Sequence, residues 1–267
     1  MADAETSENL AHHVQAERIS RHVALIRFNR PQKKNALHSS MVIEMARLLG
    51  GFAADHDIRC VVLTGTEECF AAGADIKEML ARGPAGTSNN PLRVDAWRRF
   101  ERFPKPIIAA VNGIAFGAGS EIALACDFII AGTNAKFGQP EVKIGGMAGD
   151  GGTQRLPRKI GPNMASYMLM TGDPIDAETA FRLGLAVELC EPPRTVARST
   201  EIAETIALRA PIAVQYTKAC IRTAVGATHE NGICFERDSI WRNSMTDDRR
   251  EGMTAFLEKR APVFTGR

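Results

Sequence analysis

Apolar positions along the chain gather into short runs, separated by longer stretches in which they recur at helical spacing. Residues 19–28 (Ile-Ser-Arg-His-Val-Ala-Leu-Ile-Arg-Phe) are rich in β-formers and predict a strand, stopped by Asn29-Arg30-Pro31. Met41, Met45, Leu48, Leu49 and Phe52 fall on one helical face, so a helix is expected to about His56, with Ser39 or Ser40 placed to cap it. Residues 60–64 and 106–111 are compact apolar runs of the kind that form strands covered on both faces, and residues 126–131 continue the alternation. Residues 82–91, rich in Gly, Pro, Ser and Asn, have the composition of a mobile loop. Beyond about residue 190 the pattern changes to four helical stretches, 194–209, 211–225, 230–244 and 247–259, with no convincing strand between them. The pattern therefore predicts a flexible N-terminal tail (1–17), an α/β core (18–192) and a helical C-terminal region (193–267). No internal repeat is visible.

Composition narrows the function classes. The chain has 267 residues, 45% hydrophobic and 24% charged, with a net charge of +2. That is globular composition, and it gives no basic stripe to argue for nucleic acid. Arg98-Arg99 and Arg249-Arg250 read as solvated helix faces. The six cysteines form no CxxC pair, and the six histidines form no HxxxH or HExxH pattern. Isolated thiols in a reducing compartment are expected, with no zinc site. Asp3, Glu5 and Glu8 make the N-terminus wrong for a secretory or transit peptide, and no apolar run approaches a membrane span. The expected location is the cytoplasm.

Three Gly-rich segments follow strands. They are Phe70-Ala-Ala-Gly-Ala-Asp-Ile-Lys77, Asn112-Gly-Ile-Ala-Phe-Gly-Ala-Gly-Ser-Glu121, and Phe137-Gly-Gln-Pro-Glu141 running on to Gly145-Gly-Met-Ala-Gly-Asp-Gly-Gly-Thr153. None is a dinucleotide fingerprint, since Ile122 and Gln154 stand where a GxGxxG needs its last glycine; no Gly-Lys dipeptide and no GxSxG occurs. What such segments can offer is bare backbone: Ala74 and Ala118 sit beside glycines, and Ala118 would open a helix whose first N–H groups attract negative charge. Two converging amides form an oxyanion hole, each donor worth about 3 kcal/mol in a transition state. Simple turns would use the same glycines. Glu121 lies in an apolar stretch and Glu141 follows a Gly-rich turn; burial raises a carboxyl pKa into the range useful for proton transfer. A salt-bridged pair of core glutamates fits the same residues.

Taken together, these segments resemble the crotonase (enoyl-CoA hydratase/isomerase) superfamily, most closely its short-chain enoyl-CoA hydratases. The resemblance spans residues 18–264. It rests on Asn29-Arg-Pro-Gln-Lys-Lys-Asn-Ala-Leu37, Ala71-Ala-Gly-Ala-Asp-Ile-Lys-Glu78, Val111-Asn-Gly113, the segment from Gly117 to Glu121, Gly138-Gln-Pro-Glu141, Gly152-Thr-Gln-Arg-Leu156 and Asp247-Asp-Arg-Arg-Glu-Gly-Met-Thr-Ala-Phe-Leu-Glu-Lys-Arg260. It implies a spiral of repeated ββα units and a helical C-terminal region that assembles trimers, two of which stack into a hexamer. It further implies an oxyanion hole from the N–H groups of Ala74 and Ala118, and glutamates 121 and 141 as acid and base. Ala36, Ala72, Asp75, Ile76 and Lys77 would meet CoA, and Phe256 and Lys259 would close over it, from a neighbouring subunit if need be. The implied reaction is hydration of a trans-2-enoyl-CoA thioester with no cofactor, CoA being part of the substrate, and with no nucleic acid or membrane as partner. A double-bond isomerase, a member acting on dicarboxyl, aromatic or branched acyl-CoA, and a non-catalytic CoA- or RNA-binding relative are the alternatives; both glutamates argue against the last. In one place the chain departs from the hydratase pattern: Ala148-Gly-Asp-Gly-Gly152 replaces Pro-Gly-Ala-Gly-Gly. Asp150 there either caps the helix that starts near Gly151 or tunes the glutamates.

Overall fold

A computed structural model describes residues 10–83 and 90–267. Strand β1 (Val14–Arg18) runs antiparallel to β2 (Val23–Phe28), with Val14 opposite Phe28 and Arg18 opposite Ala24. This corrects two expectations. The chain is ordered well before residue 17, and residues 19–22 form the turn of a hairpin rather than the start of a strand. The reason is plain in β1 itself: only Val14 is buried, so an edge strand held by backbone hydrogen bonds leaves no apolar alternation to read. Most of the loop expected at 82–91 lies outside the described residues.

From β2 the large sheet continues in parallel through β3 (Cys60–Thr64), β5 (Ile107–Val111), β7 (Phe128–Gly132) and β10 (Glu188–Cys190). Every residue of β3 and β5 is buried, as a sheet covered on both faces requires. Alternation assigns the faces. Ile26, Val61, Leu63 and Ala109 pack with Met41, Met45 and Leu49 of α1 (Ser39–Ala54) and with Trp97 and Phe100 of α3 (Pro91–Glu101). Leu25, Val62, Ile108 and Ile130 face the other way onto Ala203 and Ala207 of α8 (Thr195–Ala207). Helix α8 thus completes the sheet's second face, and a boundary at residue 193 cuts through the core. Helix α1 is capped by His38, whose ring nitrogen accepts from the Ser40 N–H at 3.2 Å, not by Ser39 or Ser40. The Ser39 N–H is instead taken by Glu78 Oε2 at 2.8 Å.

A second, smaller sheet holds β4 (Cys69–Ala71), β6 (Ile114–Phe116) and β8 (Lys136–Gly138) in parallel, with β9 (Ile175–Asp176) antiparallel at its edge. The chain passes from the large sheet to the small one and then into helix or 3₁₀ turn, three times. β3 and β4 lead to α2 (Ile76–Arg82) and α3; β5 and β6 lead to α4 (Ala118–Ala125). β7 and β8 lead to a 3₁₀ turn (Pro140–Ile144) and α5 (Gly152–Ile160), followed by α6 (Pro162–Thr171) and α7 (Ala177–Arg182). This is the α/β spiral of ββα units that the sequence resemblance implied. Each turn places the end of a small-sheet strand on the same side of the molecule. Helices α9 (Pro211–Gly226), α10 (His229–Ser244) and α11 (Asp247–Leu257) follow α8, close to where helical spacing put them. Among the described residues no helix is long and apolar enough to cross a membrane.

Candidate active site

Two of the small-sheet strand ends meet. After β4, the Leu37 N–H donates to the Gly73 carbonyl (2.8 Å) and the Asp75 N–H to the Leu37 carbonyl (3.0 Å). That bridge leaves the intervening N–H of Ala74 outside the ladder. After β6, Gly117 takes φ 51°, ψ −126°, the mirror image of an extended conformation, and Ala118 opens α4. As the first helical residue, Ala118 has no carbonyl one turn back to receive its N–H. The turns touch: a Cβ on Gly117 would stand 3.6 Å from Gly73 Cα, and one on Gly73 would stand 3.4 Å from the Phe116 carbonyl. Both glycines take positive φ, 121° at Gly73 and 51° at Gly117, and that backbone conformation is what reserves the two places for glycine.

These amides border a cavity of about 550 Å³ whose walls also include Glu121, Glu141, Asp150, Arg93 and Trp97. Glu121 is only 2% exposed. Its Oε1 accepts from the N–H groups of Asp150 (2.7 Å) and Gly152 (2.8 Å). Burial, with the Asp150 charge beside it, pushes its pKa up to about 7 against the opposing pull of those two hydrogen bonds. Glu141 stands in the 3₁₀ turn with its Oε1 3.2 Å from where a Gly117 Cβ would lie. Its Oε2 is buried without a protein partner, and burial together with the Asp150 charge raises its pKa as well. Among the described residues neither glutamate forms an ion pair, so the reading of a salt-bridged core pair does not hold. Two carboxyls of raised pKa thus line the same cavity as Ala74 and Ala118.

Asp150 does not cap a helix. The residue before α5 is Gly151, with no side-chain cap, and the Asp150 carboxylate turns instead to a forked ion pair with Arg93 of α3, Nη1 to Oδ1 at 2.9 Å and Nη2 to Oδ2. An aspartate before a Gly-rich helix start signals a cap locally, but a buried arginine is the stronger partner. Arg93 is the residue that the sequence did not disclose: it sits in a polar stretch, 57 positions from its partner.

The residues expected at CoA divide. Ala72 and Ile76 line the cavity, while Ala36 lies on the neighbouring turn, its carbonyl 3.0 Å from Arg30 Nη1. Lys77 is exposed in the first turn of α2. Asp75 is occupied with structure: Oδ1 accepts from the Lys77 and Glu78 N–H groups, capping α2, and Oδ2 pairs with Arg30 at 2.7 Å. Burial alone would raise its pKa, but the hydrogen bonds from Arg30 and the backbone hold it below the usual carboxylate range. Phe256 lines a separate cleft with Met253 and Phe264, and Lys259 follows α11; neither reaches the cavity within one chain.

The raised Glu121 pKa carries a stability consequence. The folded chain binds this proton more tightly than the unfolded one, so the contribution is present below the ordinary carboxyl value of 4.5 and is lost as pH rises through about 7. Glu121→Gln, a permanently neutral stand-in, should melt higher than the wild type at pH 8, with the gap narrowing towards pH 5. A melting-temperature difference that does not change with pH would count against a buried, proton-hungry Glu121.

The chain matches the family described as enoyl-CoA hydratase/isomerase over residues 18–267. It is 41% identical to the 2,3-dehydroadipyl-CoA hydratase of Escherichia coli K12 over 245 residues, 92% of this chain and 96% of that one. It is likewise 41% identical to the short-chain-enoyl-CoA hydratase of Clostridium acetobutylicum over 240 residues, covering 89% and 92% of the two chains. The crystal structure of the enoyl-CoA hydratase from Bacillus anthracis superposes with a TM-score of 0.88 at 35% identity, covering 96% of this chain and all of the other.

Proposed function

The chain belongs to the enoyl-CoA hydratase/isomerase family, and on that footing we propose that it adds water across the C2–C3 double bond of a trans-2-enoyl-CoA thioester to give a 3-hydroxyacyl-CoA. One observation carries the reading: two carboxyls of raised pKa line one cavity with Ala74, whose N–H points away from the Leu37 bridge, and Ala118, the first residue of α4. The N–H groups of Ala74 and Ala118 receive the thioester oxygen and strengthen their hold as it becomes an enolate oxygen. Ionised Glu121, oriented by the Asp150 and Gly152 N–H groups, polarises a water. The water oxygen bonds to C3, its proton passes to Glu121, and the π pair moves into the enolate. Protonated Glu141 then delivers its proton to C2, and the oxyanion collapses back to the thioester. The net change is addition of H₂O with no change of overall oxidation state; Glu121 ends protonated and Glu141 ionised, and proton exchange with solvent water restores both for the next turnover.

Loss of the conjugated enoyl thioester absorbance is the direct assay, run with crotonyl-CoA and with longer enoyl-CoAs. No absorbance change with any of them, in protein that binds CoA thioesters, would remove the hydratase reading.

We further assign α9–α11 to self-assembly. They expose Ile221, Phe235, Ile240, Trp241 and Leu257, an apolar burden heavy for a free surface. Such an assembly is also the route by which Phe256 and Lys259, distant from the cavity in their own chain, would reach a neighbour's. Sedimentation velocity should show a trimer or hexamer; a stable, fully active monomer is the contrary result.

A further inference from the structure

The segment that supplies Glu121 with hydrogen bonds is clamped from both ends of α3. At one end buried Arg93 forks onto the Asp150 carboxylate, its guanidinium 6.0 Å from the Trp97 ring centre. At the other, Arg155 of α5 donates to the Asp150 carbonyl at 2.7 Å and pairs with Glu101, the last residue of α3. Asp150 is therefore held by its side chain and its carbonyl while its N–H points at Glu121 Oε1. Building on the hydratase reading, we infer that Arg93 is a positioning residue for Glu121, acting through Asp150: it holds the donating N–H in place and neutralises a carboxylate that would otherwise bear on Glu121.

The electrostatics agree with that geometry. Asp150 is the largest charge acting on Glu121, and it acts to raise its pKa. A paired aspartate does this weakly; an unpaired one in a buried wall does it strongly. The other charged groups around Glu121 do not replace Arg93. Glu141 is acidic, Arg155 is engaged with Glu101, Lys143 with Asp173 and Glu78 across the cavity with Arg82; Lys159 on α5 faces Cys126 and Asp127, and Arg98, also on the cavity wall, is not the side chain bonded to the Asp150 carboxylate. Both Nη groups of Arg93 donate to the Asp150 carboxylate, so the face of its fork is taken by the aspartate.

The test measures kcat, KM and kcat/KM for crotonyl-CoA against pH in the full-length wild type, Arg93→Met, Asp150→Asn, the double variant and Arg93→Lys. Arg93→Met should move the acidic limb up by about one pH unit or more, the shift a newly exposed neighbouring charge brings. Asp150→Asn should move it down, and the double variant should match Asp150→Asn, because Arg93 has nothing to act through once residue 150 is neutral. Arg93→Lys should recover part of the rate. A rise in KM with an unmoved limb would make Arg93 a substrate contact, and a double variant as impaired as Arg93→Met would make it merely structural; either overturns the inference. Should Arg93→Met fail to fold, the comparison of Asp150→Asn with the double variant still decides, since neither carries an unpaired aspartate. Should no enoyl-CoA be hydrated, the Glu121 carboxyl titration followed by ¹³C NMR, assigned with Glu121→Gln, reads the same coupling without turnover. An Arg93→Met midpoint equal to that of the wild type then sinks the clamp, whatever the reaction is.

Discussion

Glu121→Gln and Glu141→Gln should each lower crotonyl-CoA hydration by at least about a hundredfold, a barrier increase of about 2.7 kcal/mol. Glutamine is the right probe at both places. At position 121 its carbonyl oxygen can still accept from the Asp150 and Gly152 N–H groups, so the loop stays put while the proton carrier is lost. At position 141 it keeps the volume that fills the space beside Gly117. Neither carboxyl contacts a residue assigned to CoA, so acyl-CoA affinity should change little. The variants should part company on a second measurement, deuterium exchange at C2 of a saturated acyl-CoA. That step needs the amides and Glu141 but no water at C3, so Glu121→Gln should retain much of it and Glu141→Gln should not. Normal hydration by Glu121→Gln would end the two-glutamate mechanism and favour the isomerase alternative.

Gly117→Ala is expected to be as damaging although it removes no functional group. With φ 51° and ψ −126°, Gly117 occupies a region closed to residues bearing a Cβ, at a strain of about 1–3 kcal/mol. The added methyl would also meet Glu141 Oε1 at 3.2 Å and Gly73 Cα at 3.6 Å. The backbone must rotate to relieve this, and the group that rotates with it is the Ala118 N–H. Losing one oxyanion donor costs about 10²–10³ in kcat, so kcat should fall by that much while the melting temperature drops modestly. Gly50→Ala is the matched control. Gly50 lies in α1 with nothing within 4 Å of a built Cβ, so alanine there should leave kcat unchanged and stabilise the chain by about 0.5–1 kcal/mol. A Gly117→Ala variant with wild-type kcat would show that the Ala118 amide is not part of the oxyanion hole.

Elements with strong local signals were legible in the chain itself. The face Met41, Met45, Leu49 marks α1, and the unbroken apolar runs at 60–64 and 107–111 mark strands covered on both sides, because period and burial follow directly from side-chain order. The two glutamates and the two Gly-Ala turns stood out for the same reason: a carboxylate in an apolar run, or a bare amide beside a glycine, is unusual wherever it occurs. Strand β1 was not legible, since its stability comes from backbone pairing with β2 and hardly from its side chains. Nor was the spiral visible as a sequence repeat. Its three turns share only their path between two sheets, and each fills its own part of the core with different residues.

What the tertiary structure alone decided is who faces whom. Glu121 and Glu141 share a cavity because β6 and β8 are neighbours in the small sheet, and Ala74 meets Ala118 because β4 pairs with β6. Asp150 looked like a helix cap from its neighbours in sequence and became Arg93's partner once α3 folded across the loop, 57 residues away along the chain. Helix α8, grouped by its pattern with the helices that follow, belongs to the core because Ala203 and Ala207 complete the second face of the large sheet. Local order along the chain sets which residues can hold a proton, bare an amide or bury a face. Partner, pKa and face depend on distances through space, and those exist only after the strands have paired.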